Sequence, residues 1–140
     1  MSDRFFLDTN IFAYVFDSSA ISKGRISDRL IQKGIGTGKG LVSYQVVQEF
    51  FNMAFKKFPV PMTEAEAQSY FSSVFRPMLG VGFSPSLLVR AIGIRERHLI
   101  PWYDSLIFAA AIEGQCKTLF SEDLQHGREL EGVRVQNPFR

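Results

Sequence analysis

Residues 4–16 read RFFLDTNIFAYVF, and they hold a strand and a helix in direct succession. The apolar run from Arg4 to Leu7 predicts a short buried strand. Asn10 to Phe16 is predicted to follow as a helix, with Thr9 or Asn10 as its cap. A strand that passes straight into a helix is the first part of a strand–helix–strand unit, and it indicates an α/β protein.

The remainder of the chain continues this alternation of strands and helices. Apolar runs predict further strands at 41–43, 78–83, 118–121 and 133–136. Helical periodicity and capping signals predict helices at 22–32, 45–57, 64–76, 85–97 and 101–113. Buried strands separated by helices favour a central parallel sheet with helices on both faces. The chain is therefore predicted to be α/β, with one domain over residues 1–140.

A glycine-rich segment, residues 33–40, is predicted to be a loop between the second helix and the second strand. A phosphate-binding loop of the Walker type needs Ser or Thr directly after its lysine. Here Lys39 is followed by Gly40, so the segment is interpreted as a plain connection.

Composition narrows the class of protein. The chain has 140 residues, of which 46% are hydrophobic and 21% charged, as in a globular domain rather than a disordered chain. The net charge of +2 neither indicates nor excludes a nucleic-acid partner. The single cysteine, Cys116, excludes a disulfide within the chain. No signal peptide precedes the first strand, and the longest apolar run, Leu106–Ile112, is too short to span a bilayer, so we expect a cytoplasmic protein without a membrane partner.

Four acids are placed where a parallel sheet binds its ligands, beyond the carboxyl ends of its strands. Asp8 follows the first strand, and Asp123 follows the strand at 118–121. Glu49 lies at the border of an apolar helix face, and Asp104 lies in the first turn of an almost wholly apolar helix. Each acid alone also has an ordinary interpretation as a turn residue, a cap, a helix-dipole partner or a surface charge.

Taken together, the four acids predict a cation site. Carboxylates brought close to one another repel, and the segments that carry them hold no excess of Lys or Arg. A hard divalent cation such as Mg²⁺ or Mn²⁺ is the natural counter-charge, because these ions prefer carboxylate and water oxygens. One or two such ions suit the hydrolysis of phosphodiesters.

The segments around these acids resemble, in order and spacing, the four motifs of PIN-domain ribonucleases. The resemblance covers essentially the whole chain, and the size is similar to that of the VapC-type toxins of bacterial and archaeal toxin–antitoxin pairs. The segments are Leu7-Asp8-Thr9-Asn10, Val46-Val47-Gln48-Glu49-Phe50, Trp102-Tyr103-Asp104-Ser105-Leu106-Ile107 and Ser121-Glu122-Asp123-Leu124-Gln125-His126-Gly127.

This resemblance implies a catalytic quartet that binds Mg²⁺ or Mn²⁺, made of Asp8, Glu49, Asp104 and Asp123. Glu122 is the second choice for the fourth acid. Thr9 or Asn10 would orient Asp8 or a metal-bound water, and Ser121 would line the same site.

The implied reaction is metal-dependent endonucleolytic cleavage of single-stranded or loop RNA by water, without a covalent intermediate. The implied partners are a second copy of the chain and a cognate antitoxin protein. Aromatic residues in the helices at 45–57 and 64–76 exceed the needs of one core layer, so some are expected to form such a protein-binding surface.

Two alternatives are weighed against this interpretation. A haloacid-dehalogenase-type phosphatase also begins with an Asp after its first strand, but it needs a second Asp where this chain has Asn10. A non-catalytic PIN fold that binds RNA or serves as a scaffold stays open. Scattered basic residues are either an RNA-binding surface or solvated helix faces, and they include Arg25, Arg29, Lys56, Lys57, Arg95 and Arg97.

Overall fold

The computed structural model describes residues 3–140. The strands are β1 (Phe5–Leu7), β2 (Gly40–Ser43), β3 (Leu79–Val81), β4 (Thr118–Phe120), β5 (Glu129–Leu130) and β6 (Val133–Gln136). The α-helices are α1 (Thr9–Tyr14), α2 (Ile21–Thr37), α3 (Tyr44–Lys56), α4 (Glu64–Tyr70), α5 (Arg76–Met78), α6 (Pro85–His98) and α7 (Trp102–Glu113). A π-helical segment, Phe71–Phe75, joins α4 to α5.

The strands form one sheet in the order β3-β2-β1-β4-β6-β5, and helices flank it. Every neighbouring pair is parallel except β5 and β6, which are antiparallel. The predicted α/β class with a central parallel sheet is confirmed, and β5 adds one antiparallel strand that was not predicted. The added hairpin turns at Glu131 and Gly132, which have φ of +48° and +88°. Both residues lie in the left-handed region, as the tight turns of hairpins require, and a two-residue strand shows no sequence periodicity.

The strand order has a switch point between β1 and β4. From β1, the strands β2 and β3 follow in order towards one edge of the sheet. The next strand, β4, lies on the other side of β1, and β6 and β5 continue towards the opposite edge. In open α/β sheets, ligands bind in the crevice at the carboxyl ends of the strands where the order reverses. Asp8 and Ser121 directly follow the two strands at this point.

The predicted loop at 33–40 is wrong, because α2 continues to Thr37 and ends at Gly38 with φ of +71°. The glycines there serve close packing. A Cβ atom added to Gly40 would come within 2.5 Å of the Cα atom of Gly34. The missing side chains thus let α2 lie directly against the start of β2.

Three further helix ends test the capping and proline signals of the sequence. The cap of α1 is Asp8, not Thr9 or Asn10, so the helix begins one residue earlier than predicted. The capping signal at Ser84 is confirmed, with Pro85 at the start of α6. The helix expected to stop before Pro77 instead passes through it to the end of α5, because proline is tolerated in the first turn that follows the π-helical segment.

The core lies between the sheet and its helices, and its largest fully buried side chains include five phenylalanines: Phe6, Phe12, Phe50, Phe75 and Phe108. None of the helices within residues 3–140 combines the length and the apolar character needed to cross a membrane.

Candidate active site

Asp8 is fixed across the junction of β1 and β4. Its backbone N–H donates to the carbonyl of Phe120 at 3.0 Å. Its Oδ1 accepts from the backbone N–H of Thr9 at 2.8 Å, and its Oδ2 accepts from the buried hydroxyl of Ser121 at 2.8 Å. The Ser121 hydroxyl also accepts from the backbone N–H of Leu124 at 3.3 Å. The Asp8 carboxylate therefore caps α1 and links the end of β1 to the segment after β4.

Thr9 links this junction to Glu49 on α3. The Thr9 side chain is buried, and its hydroxyl donates to Glu49 Oε1 at 2.7 Å. The amide of Gln45 donates to Glu49 Oε2 at 3.2 Å and to the carbonyl of Tyr103 at 3.3 Å. Gln45 thus connects Glu49 to the turn that carries Asp104. Gln45 was not predicted as a site residue, although its position one helical turn before Glu49 is a usable signal.

The neighbouring acids Glu122 and Asp123 have different hydrogen-bond partners. The amide of Asn10 donates to Asp123 Oδ2 at 2.7 Å. Glu122 instead accepts from the hydroxyl of Tyr14 and from the ammonium of Lys23. Both residues lie in the bend that follows β4, and it is Asp123 whose charge acts on Asp8 and Asp104.

Asp104 lies in the first turn of α7 and is partly buried. Among residues 3–140 its carboxylate has no hydrogen-bond partner and no ion-pair partner, unlike those of Asp8, Glu49 and Asp123. Its oxygens are therefore free to accept from water or from a ligand.

The four carboxylates act on one another, and Asp8, Glu49, Asp104 and Asp123 are together called the acidic site. Burial raises the pKa of Asp8 to about 6 against its hydrogen bonds from Thr9 and Ser121, and the charges of Glu49 and Asp123 raise this pKa further. Burial, followed by the charges of Asp123 and Glu49, also raises the pKa of Asp104. Within residues 3–140, no lysine or arginine forms an ion pair with any of these four acids. The site therefore concentrates negative charge without a protein counter-charge.

The donor chemistry of the acidic site fits a hard divalent cation, but the side chains do not form a finished cage. Across the described residues, no three His, Cys, Asp or Glu side chains are arranged to hold a metal ion as they stand. Three of the acids direct oxygens to Ser121, Thr9 and Asn10 instead. Mg²⁺ commonly keeps several waters and uses only one or two carboxylates, so a loosely spaced set of oxygens suits it.

Comparison with known proteins gives one family and a set of similar folds. The model of a family described as PIN domain matches residues 5–128. A toxin–antitoxin complex from Klebsiella pneumoniae is similar with a TM-score of 0.68 and 17% sequence identity, over 95% of this chain and 96% of that chain. VapBC2 from Rickettsia felis, bound to a DNA fragment from their promoter, gives 0.65 and 18%, over 95% and 97%.

Mycobacterium tuberculosis VapC20, a Sarcin-Ricin loop cleaving toxin, gives a TM-score of 0.58 and 16% identity, over 85% of this chain and 91% of that chain. Among curated proteins, none matches the chain. At these identities the similarity to the solved structures is one of fold.

Proposed function

This chain belongs to the PIN domain family, and we propose that it is a divalent-metal-dependent endoribonuclease, the toxin component of a type II toxin–antitoxin pair. The observation that supports the proposal is the meeting of four mutually repelling carboxylates at the switch point of the sheet. Charge of this density, with no cation from the described chain beside it, favours Mg²⁺ or Mn²⁺ and a phosphodiester substrate.

The residues of the acidic site divide into acids that hold the ion and partners that orient them. Asp8, Glu49, Asp104 and Asp123 are the oxygen donors for the metal, which when bound lowers the pKa of water and stabilises charge on the phosphoryl oxygens. Ser121 orients Asp8, and its hydroxyl reaches the carboxylate at 2.8 Å. Asp104, whose oxygens have no partner among residues 3–140, is the acid best able to reach a water or the substrate.

Glu49 and Asp123 are oriented in the same way by neighbouring polar groups. Thr9 donates to Glu49 at 2.7 Å, and Asn10 donates to Asp123 at 2.7 Å. Both donors lie in the first turn of α1, so one short helix sets the direction of two acids that come from distant parts of the chain.

RNA as substrate and an antitoxin as partner are proposed from the similar proteins as well as from the site. One similar structure is a toxin–antitoxin complex, and another is described as a Sarcin-Ricin loop cleaving toxin. A surface cavity of about 710 Å³ beside α4, lined by Phe16, Phe58, Met62 and Tyr70 among others, offers apolar contacts for a segment of the antitoxin.

A homodimer is the proposed oligomeric state. Several apolar side chains of α6 are exposed in the single chain, with Val89 69% and Ile92 54% accessible. Apolar side chains grouped on one helix face are typical of a protein-binding surface. Light scattering of the purified protein tests this point, and a monomer at all concentrations would contradict it.

The proposal is tested by incubating a mixed RNA pool with the purified protein in Mg²⁺, in Mn²⁺ and in chelator. Asp8→Asn removes one charge from the acidic site, whereas Glu122→Gln removes one charge from the neighbouring Lys23 pair and serves as the matched control. We expect metal-dependent cuts from the wild type and from Glu122→Gln, and none from Asp8→Asn. Equal cutting by Asp8→Asn would contradict the assignment.

A non-catalytic module that binds RNA is the second candidate, and one observation favours it. No three acids of the described chain form a ready metal-binding group. A thermal melt in increasing Mn²⁺ separates the two functions. A rise in the melting temperature that Asp8→Asn lacks supports the nuclease, and no metal effect on either protein supports the binding module.

A further inference from the structure

A surface cavity of about 360 Å³ lies between the end of α1 and the end of α3, and it is called the α1–α3 cavity. Its walls come from residues 10–18 and residues 53–59. The volume is in the range of ligand-binding clefts. Neither the acidic site nor the cavity proposed for the antitoxin accounts for it.

The α1–α3 cavity adjoins the acidic site. Asn10 lines the cavity, and its amide also donates to Asp123 Oδ2 at 2.7 Å. Met53 lines the cavity from α3, one helical turn after Glu49. One wall residue therefore contacts an acid of the site directly, and another lies one turn from a second acid.

Aromatic rings form part of the cavity wall. Phe16 is 41% exposed, and its ring centroid lies 5.5 Å from that of Phe58, with 34° between the planes. Unpaired bases stack on such rings, because every base has an apolar face. Both rings also line the cavity beside α4, so the charged residues of the α1–α3 cavity decide which ligand suits it.

One of these charged residues is a cation, Lys57, which directly follows α3 and is exposed. Within residues 3–140, its ammonium forms no hydrogen bond and no ion pair. It lies about 12 Å beyond Glu49 along α3, from the helical rise per residue. Lys57 can therefore neutralise a phosphate that lies at a distance from the four acids.

The other charged residue is Asp17. Its Oδ1 accepts from the hydroxyl of Ser19 at 2.6 Å and from the backbone N–H of Ser19 at 2.9 Å, and these bonds lower the pKa of Asp17. In the described chain its Oδ2 has no partner. An ionised carboxylate only accepts hydrogen bonds, so it suits the exocyclic amino group of cytosine or adenine, whereas uracil has an oxygen where cytosine has that group.

We propose that the α1–α3 cavity binds one unpaired nucleotide of the RNA beside the cleaved bond. Its base lies against Phe16 and Phe58, its amino group donates to Asp17, and its phosphate lies at Lys57. The inference rests on the proposed function, since it takes RNA as the substrate class. A wholly apolar protein segment would cover Asp17 and Lys57 without pairing their charges, which is costly. Contacts to a base edge select sequence, so the cavity adds specificity to the cut.

The first test compares Phe16→Leu with Phe55→Leu. Phe55 is similarly exposed, at 48%, and its ring stacks on Phe51, but it lines a different cavity beside α4. The measurement is the binding of a labelled single-stranded oligocytidylate in chelator, where the same four acids are present in every protein. Phe16→Leu should bind at least about fivefold more weakly, as expected for one lost stacked base. Phe55→Leu should bind like the wild type, and circular dichroism melts check that both variants are folded.

The second test compares Lys57→Gln with Lys56→Gln, which removes the neighbouring exposed cation. Binding of the same oligocytidylate is followed across a series of salt concentrations. The slope of log K against log salt should become shallower by about 0.7 in Lys57→Gln, for one lost phosphate contact. Lys56→Gln should keep nearly the wild-type slope, because Lys56 does not line the cavity.

The third test concerns the base. The wild type should bind oligocytidylate more tightly than oligouridylate of the same length. Asp17→Asn should lose this preference, because its amide can donate to the uracil oxygen, while its carbonyl still accepts from Ser19. Asp28→Asn removes an exposed acid of α2 that does not line the cavity, and it should keep the preference.

The outcomes separate this inference from its premise. Because binding is measured without metal, it does not depend on cleavage, and the proposed nuclease fails separately if the wild type makes no metal-dependent cuts. Equal effects in a variant and its control, no preference for oligocytidylate, or no binding of RNA by the wild type would each overturn the inference. Unchanged RNA binding by both Phe16→Leu and Lys57→Gln would also overturn it and leave the cavity to a protein partner.

Discussion

Replacing Asp8 with Asn should stabilise the metal-free protein while removing its activity. The folded protein raises the pKa of this carboxyl from 3.8 to about 6. A difference of roughly two pKa units corresponds to about 3 kcal/mol of unfavourable free energy in the folded state when the carboxyl is ionised. Because Asp8 is partly accessible to solvent, this figure is an upper value for the gain on removing the charge.

The sign of the pH dependence follows from the raised pKa. Between about pH 4 and pH 6 the folded protein holds more protons on Asp8 than the unfolded chain does, so stability falls as the pH rises through this window. Asp8→Asn removes this loss, and the gain is complete above about pH 6 and absent below about pH 4. The asparagine oxygen still accepts from Thr9, but the bond to Ser121 is reversed, because the amide donates where the Ser121 hydroxyl donated to Asp8. The buried hydroxyl proton then loses this acceptor, which reduces the gain below its upper value.

Urea unfolding in chelator, at a series of pH values, measures the effect. Glu122→Gln is the matched control, because the bonds from Lys23 and Tyr14 lower the pKa of Glu122 and its charge stabilises the fold at neutral pH. The control should therefore be less stable than the wild type at neutral pH. Destabilisation of Asp8→Asn above pH 6, or a difference from the wild type that does not change with pH, would contradict the raised pKa of Asp8.

Three other changes test separate parts of the structure. Mn²⁺ or Mg²⁺ should raise the melting temperature of the wild type more than that of Asp104→Asn, and an equal rise would place the ion elsewhere. Ser27→Ala should stabilise the protein by about 1 kcal/mol in urea unfolding, because this buried hydroxyl has no partner within residues 3–140. The control Ser105→Ala should instead destabilise the protein, because it loses a hydrogen bond to the Pro101 carbonyl. Gly40→Ala should cost about 1–3 kcal/mol through its clash with Gly34, whereas Gly36→Ala, with nothing within 4 Å of its added Cβ, should not destabilise the helix.

The location of the acids was predictable because strand ends are visible in a sequence. Asp8 directly follows the apolar run of β1, and Ser121 to Asp123 directly follow β4. Parallel strands bring these ends to one edge of the sheet, so proximity follows from topology alone. The expectation that Asp8, Glu49, Asp104 and Asp123 act as a catalytic quartet stays a prediction.

The choice between Glu122 and Asp123 was not predictable from spacing, because the two are neighbours. It depends on Lys23 and Tyr14, which are distant in sequence and come to Glu122 only through the packing of α1 and α2. Gln45 was not predicted for a similar reason. Its contact with the Tyr103 carbonyl joins two helices that are distant in sequence.

The errors in the fold prediction come from residues that are typical of more than one local structure. Glycine at 34 and 40 indicates a loop, but here it permits a close contact between α2 and β2. The strand β5 is two residues long, too short for a periodic pattern. Asp8 caps α1 because its carboxylate already lies over the first turn, at 2.8 Å from the Thr9 nitrogen.

The most direct test of the nuclease is the rate of RNA cleavage by Asp8→Asn against Glu122→Gln in saturating Mn²⁺. Because Asp8→Asn is expected to be the more stable of the two, a loss of its activity cannot be ascribed to unfolding. We expect Glu122→Gln to cleave RNA at the wild-type rate, with the cleavage abolished by chelator, and we expect no cleavage by Asp8→Asn. Cleavage by Asp8→Asn at the wild-type rate, or cleavage that persists in chelator, would contradict the account.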